Sequence, residues 1–239
     1  MESNQLEDRY LLCERNAVFA LLMAVSGMMG AYTFTQRGGV FCNAQTANIV
    51  VMSIAFGEGR WKDGLYFLIP ITAYFMGAFL SEALPSPVKR KNFLRWDTWL
   101  IAIETLTLFL IGFVPLTVPH QVTQVIINFI ASMQYNTFRQ AEGIPMATTF
   151  CTNHVRQLGV AAAKVVRKHD EAAAHRGKVH LAMLISFFTG GVVLSFAGKF
   201  LEERSIWLAL LPLGFILINL IHADLTIEHD AMDRKPRGH

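Results

Sequence analysis

The chain has 239 residues, of which 53% are hydrophobic and 16% charged; its formal net charge is +3 and its mean hydropathy +0.36. A soluble domain carries about 25% charged residues, so the deficit points to an integral membrane protein. The basic residues lie beside the ends of apolar runs, which is an orientation signal and excludes a nucleic-acid surface. The three cysteines, Cys13, Cys42 and Cys151, have no metal-ligand spacing and exclude a disulfide framework.

Residues 1–16 are polar and mixed in charge, with no small-residue cleavage site after the first apolar run. Eight apolar segments follow, at roughly 17–35, 40–57, 64–84, 97–117, 120–138, 144–163, 179–199 and 205–222. The second and sixth are the least apolar, and they resemble each other. Gly38-Gly39-Val40-Phe41-Cys42-Asn43-Ala44-Gln45-Thr46-Ala47-Asn48 is answered by Gly143-Ile144-Pro145-Met146-Ala147-Thr148-Thr149-Phe150-Cys151-Thr152-Asn153. Each opens on Gly and reaches Asn ten positions later. Repeated polar segments among apolar helices point to a solute site in a transporter.

Eight full crossings would split the basic stretches Lys89, Arg90, Lys91, Arg95 and Lys164, Arg167, Lys168, Arg176, Lys178 between two faces. Short basic loops normally share the cytoplasmic side. The expected architecture is therefore all-α, with six transmembrane helices and two re-entrant or broken segments. Both termini are then cytoplasmic, and Arg37, Arg60, Lys62, Lys199 and Arg204 lie outside. Eight crossings remain the alternative. Trp61 and Trp207 would anchor the outer interface, and Trp96 and Trp99 the inner one.

A second motif recurs in the same order: Tyr74-Phe75-Met76-Gly77-Ala78 and Phe187-Phe188-Thr189-Gly190-Gly191. The chain thus divides into a cytoplasmic segment (1–16), a first repeat (17–117), a second repeat (118–222) and a cytoplasmic tail (223–239). Three crossings per repeat invert the second relative to the first. Gly38 and Gly143 supply chain turns, and Pro145 suits a helix first turn. A cavity lined by Asn43, Gln45, Thr46, Asn48, Thr148, Thr149, Thr152 and Asn153 would satisfy non-helical backbone at membrane depth. The other reading makes these groups interhelical glue. Asn48 and Asn153 are expected to approach each other near the midplane, although Asn43 is an alternative counterpart. Gly77, Ala78, Gly190 and Gly191 permit close helix contact.

Glu104 lies about 10 Å into segment four, where an ionisable group marks an ion or proton route. Its alternative role is a neutral acid bonded to Thr105 or Thr107. Gln124, Asn128, Gln134 and Asn136 recur along segment five, and Asn136 joins the expected solute-binding set. His154 and Arg156 close the second re-entrant segment. His169, His175 and His180 fall in a hydrophilic loop without partners at ligand spacing, and no P-loop, GxSxG or HExxH motif is present.

In the order of these features, from Gly38-Gly39-Val40-Phe41 through Thr46-Ala47-Asn48 and Tyr74–Ala78 to Gly143–Thr152, the chain resembles the YoaK family of bacterial membrane proteins, a domain of unknown function. The resemblance covers about residues 15–222 and implies a bacterial inner-membrane location with about six spans. Thr46-Ala47-Asn48 departs from the family's Thr-Gly-Asn, Thr152-Asn153 from its Thr-Gly, and the acid near Gly30 is missing. The expected function is transport of, or a channel for, a small polar or anionic solute, with no cofactor, metal or catalysis. The alternative is a structural or partner-binding membrane protein. Expected partners are the lipid bilayer, the solute and a second copy in a homodimer; none is nucleic acid.

Overall fold

A computed structural model describes residues 10–84, 94–231, 234 and 236. Lys89, Arg90 and Lys91, placed above on the cytoplasmic side, lie outside the described residues. Among the described residues nine α-helices form the body: α1 (Asn16–Gln36), α2 (Gln45–Gly57), α3 (Trp61–Tyr66), α4 (Leu68–Ala83), α5 (Trp96–Ile111), α6 (His120–Thr137), α7 (Thr152–Lys168), α8 (Glu171–Leu201) and α9 (Leu210–His222). Strands β1 (Gln140–Ala141) and β2 (Ile144–Pro145) form a small antiparallel hairpin between α6 and α7. Among the described residues three helical stretches are long and apolar enough to cross a membrane: Asn16–Gln36, Trp61–Ala83 and Glu171–Ile227. The protein is therefore helical and built for a bilayer.

Glycine decides how the helices meet. A Cβ at Gly27 would lie 2.0 Å from the Phe187 carbonyl oxygen, and one at Gly190 would lie 2.0 Å from that of Ala24. Helices α1 and α8 therefore touch backbone to backbone. In the same way, a Cβ at Gly77 would lie 2.2 Å from the Phe129 oxygen, and α4 rests on α6. Small residues allow such approach where no hydrophobic effect drives helices together. The recurring glycine motif is thus a packing device, as expected from its residue types.

Chain reversals use positive φ. Gly38 and Gly39 end α1 at φ 83 and 76. The β-hairpin turns at Glu142 (φ 46) and Gly143 (φ 79), the two positive angles that a tight hairpin turn requires. Glu142 is held there by its partners: its N–H donates to the Glu14 carbonyl, and its carboxylate accepts from the backbone and side chain of Asn16.

Three expectations are corrected. Pro145 pairs with Gln140 in β2, and the helix starts only at Thr152. The stretch 164–178 is no loop: α7 runs to Lys168, and α8 begins at Glu171, where Asp170 accepts from the Ala173 N–H at 2.9 Å. Its Ala, Lys and Arg are strong helix formers, so both helices continue beyond their apolar parts. Trp96 is buried, its indole N–H donating to Thr137 at 3.0 Å; a hydroxyl satisfies it as interfacial water would.

Candidate functional site

Ser26 is the midpoint of α1, ten residues from each end, so it lies about 15 Å from either end of that helix. Two irregular segments converge on it. One, between α1 and α2, brings Asn43, whose side-chain N–H donates to the Ser26 carbonyl at 3.1 Å. The other, between β2 and α7, brings Thr148. Gln134 of α6 joins them, its Nε2 donating to Ser26 Oγ at 3.1 Å and reaching the Thr148 carbonyl at 3.5 Å. Ser26, Gln134, Thr148 and Thr149 have no solvent exposure. Gly30 makes room, because a Cβ there would stand 3.0 Å from the Asn43 amide.

The cluster is polar but not closed. Gln134 Oε1 and Thr148 Oγ1 are buried with no hydrogen-bond partner among the described residues. Leaving such atoms unsatisfied costs about 1–3 kcal/mol each. Glu104 adds to this demand: it is fully buried, and neither carboxyl oxygen has a partner among the described residues. Thr105 and Thr107 do not serve it, since their hydroxyls donate to the carbonyls of Ile101 and Ile103 one turn back.

A polar ladder climbs from the centre along α6. Gln45 Nε2 donates to Asn128 Oδ1 at 2.9 Å, Asn128 donates to the Gln124 carbonyl at 2.8 Å, and Gln124 Nε2 donates to the Arg37 carbonyl. Tyr66 donates to Gln124 Oε1. Asn48 belongs to the lower rung, where its amide clasps the Phe41 backbone at both N–H and C=O and donates to Gln45 at 3.1 Å. The irregular stretch before α2 is thereby sewn to the helix that follows.

Other expected site residues lie apart. Thr46 and Thr152 are exposed on α2 and at the start of α7. Asn153 is half-buried and accepts from its own helix neighbour Arg156 at 3.0 Å. Asn136 is occupied at the end of α6, donating to Ser81 and Glu82. The amides of Asn48 and Asn153 thus each bond residues nearby in sequence rather than one another. The helical period explains this. Asn153 follows a helix start by one residue and Asn48 by three, so equal spacing from Gly places them on different faces.

Sequence reasoning passed over two groups. Ser26 stands alone between Val25 and Gly27, and its signal was a hydroxyl at the centre of an apolar helix beside the close-packing glycine. His180, expected in a hydrophilic loop, is instead buried and paired with His154, Nδ1 to Nδ1, at 3.0 Å.

A family model described as "Protein of unknown function (DUF1275)" matches residues 18–219. The chain belongs to the DUF1275 family. No curated protein and no solved structure matches it.

Proposed function

We propose that this DUF1275 protein is a membrane transporter or channel for a small polar or anionic solute, moved through the Ser26–Asn43–Gln134–Thr148 cluster. One observation carries the reading: two irregular segments meet at the midpoint of α1, where Gln134 Oε1 and Thr148 Oγ1 are buried without partners. A polar solute would satisfy them in passing. Gln134 Oε1 only accepts whereas the Thr148 hydroxyl can also donate, so the pair suits an uncharged solute, or an anion, that carries an N–H or O–H donor of its own. Glu104, equally buried and unpartnered, is the residue proposed to carry a proton beside the pathway.

The proposed architecture is an inverted repeat of six crossings and two re-entrant units. One shift in numbering relates Ala24 to Phe129, Gly38 to Gly143, and Asn43 to Thr148. The two backbone-to-backbone crossings, α1 on α8 and α6 on α4, correspond when the halves are exchanged, with Gly77 matched to Gly190 by a longer shift that the extra residues between α7 and α8 allow. The end contacts agree with this reading. Arg37 donates to the carbonyls of Val114 and Pro115 at one end. At the other end the Arg95 N–H and the Thr98 hydroxyl donate to Asp224, and the Leu12 N–H donates to Glu228. The YoaK resemblance is compatible with the DUF1275 match and supports a bacterial inner membrane with cytoplasmic termini.

Proteoliposomes carrying wild type or Asn43→Ala are the direct test, with uptake of a panel of small neutral and anionic solutes measured. Uptake of one class, lost in Asn43→Ala at equal protein content, is expected. Equal leak for both proteins across the panel would favour the alternative of a structural or partner-binding membrane protein. Single cysteines at Lys62 and Arg176 should be labelled from opposite faces; labelling from the same face would end the six-crossing scheme.

A further inference from the structure

We infer that the hairpin of α7 and the start of α8 holds a second site, built for one phosphate-bearing anion. A cavity of about 170 Å³ lies between these helices and β2, with Gln157 and Lys164 from α7, Arg176 and His180 from α8, and Ile144 and Pro145 on its wall. None of its lining residues is acidic. Among the described residues neither Lys164 nor Arg176 forms an ion pair. The nearby Asp170 carboxylate is engaged at the N-terminus of α8. Two cations on facing helices therefore share a concave space with no counter-charge.

The histidine pair gives the site a built floor. His154 Nε2 lies 2.7 Å from the Ala147 carbonyl, which only accepts, so that nitrogen carries the proton. His154 Nδ1 is then the acceptor, and His180 Nδ1 the donor, of their 3.0 Å bond. His180, only 2% exposed, is fixed in place by this relay; its Nε2 is then an acceptor that can take a bond from water, so Lys164 and Arg176 alone supply the charge that holds an anion.

Size limits the ligand. Small-molecule pockets span roughly 300–1,000 Å³, while a water occupies about 30 Å³. The cavity suits a single tetrahedral oxyanion with a few waters rather than a nucleotide or cofactor. Charge-assisted bonds from Lys and Arg are the usual means of holding such a group. Depth names its two sources. The 31 residues of α8 extend about 46 Å, beyond a hydrocarbon core of roughly 30 Å. If α8 crosses as proposed above, the cavity sits near the headgroups. The anion is then a lipid phosphodiester or free phosphate; the second source does not depend on the membrane reading.

The experiment places the full chain in phosphatidylcholine nanodiscs and titrates inorganic phosphate by calorimetry at constant ionic strength. In parallel, phosphatidylglycerol retained from mixed nanodiscs is counted by native mass spectrometry. Lys164→Gln with Arg176→Gln should weaken phosphate binding or lipid retention at least tenfold, both side chains being exposed and dispensable for folding. Arg167→Gln, on α7 outside the cavity, should change neither. Phosphate binding marks a free anion, and lipid retention alone marks a headgroup. No binding of either probe by wild type, or an equal loss in Arg167→Gln, overturns the site. Solute uptake is measured separately, so failure of the transport reading leaves this result standing.

Discussion

The two units that enter the bundle from α1 and from α6 carry similar sequences but solve different problems. In the first, Asn48 bonds the Phe41 backbone twice, and Gln45 ties the helix start to α6. Helix α2 then shows Ile49, Val50, Val51 and Ile54 outward and carries no charge. In the second, the segment before α7 leaves Thr148 Oγ1 unpartnered, and α7 carries Arg156, Lys164, Arg167 and Lys168. The first unit is clamped and apolar on its outer face; the second leaves a central hydroxyl without a partner among the described residues and is basic toward its end.

The harshest test strikes what both units stand on. Gly190→Val would drive a methyl group into the Ala24 carbonyl, and Gly77→Val into that of Phe129. Overpacking costs about 1–3 kcal/mol or more, and contact with rigid backbone belongs at the upper end. Both variants are expected to lose folded protein on size-exclusion chromatography. Loss from one alone would mean that the two crossings are not equivalent.

The asparagines come next. Asn48→Ala removes bonds to the Phe41 backbone, and a cost of about 1–3 kcal/mol is expected. Asn153→Ala should stay within about 0.5 kcal/mol, as surface substitutions do. Thermal denaturation in detergent measures both, and equal shifts would erase the proposed division of labour.

Thr148→Val separates stability from function. Deleting a buried hydroxyl without a partner should leave the protein unchanged or raise its stability by up to about 1 kcal/mol, while solute uptake falls at least tenfold. A destabilised variant with normal uptake would make Thr148 part of the scaffold. The smallest structural effect is expected for Glu104→Gln, which is nearly isosteric. It should keep downhill solute flux and lose accumulation driven by a pH gradient. Unaltered gradient-driven uptake would remove Glu104 from the pathway.

Much of the organisation was legible in the chain itself. Apolar runs of sufficient length, a charge deficit and two recurring glycine motifs determined a helical membrane protein with close helix contacts, because bilayer thickness and backbone satisfaction leave few solutions. The polar residues of the second and sixth segments were visible as a set. Which of them meet was not. Gly-to-Asn spacing is the same in both segments, but α2 starts three residues before its Asn and α7 only one, so a shared spacing became two orientations. The central contacts join Ser26, Asn43, Gln134 and Thr148 from four separate stretches, and no local pattern encodes distances among residues so far apart in sequence. The pairing of His154 with His180 likewise depends on the polar stretch 164–178 folding as two helices, which brings His180 against the start of α7. Periodicity and composition act along the chain, whereas the site is set by how glycines let α1 meet α8 and α4 meet α6.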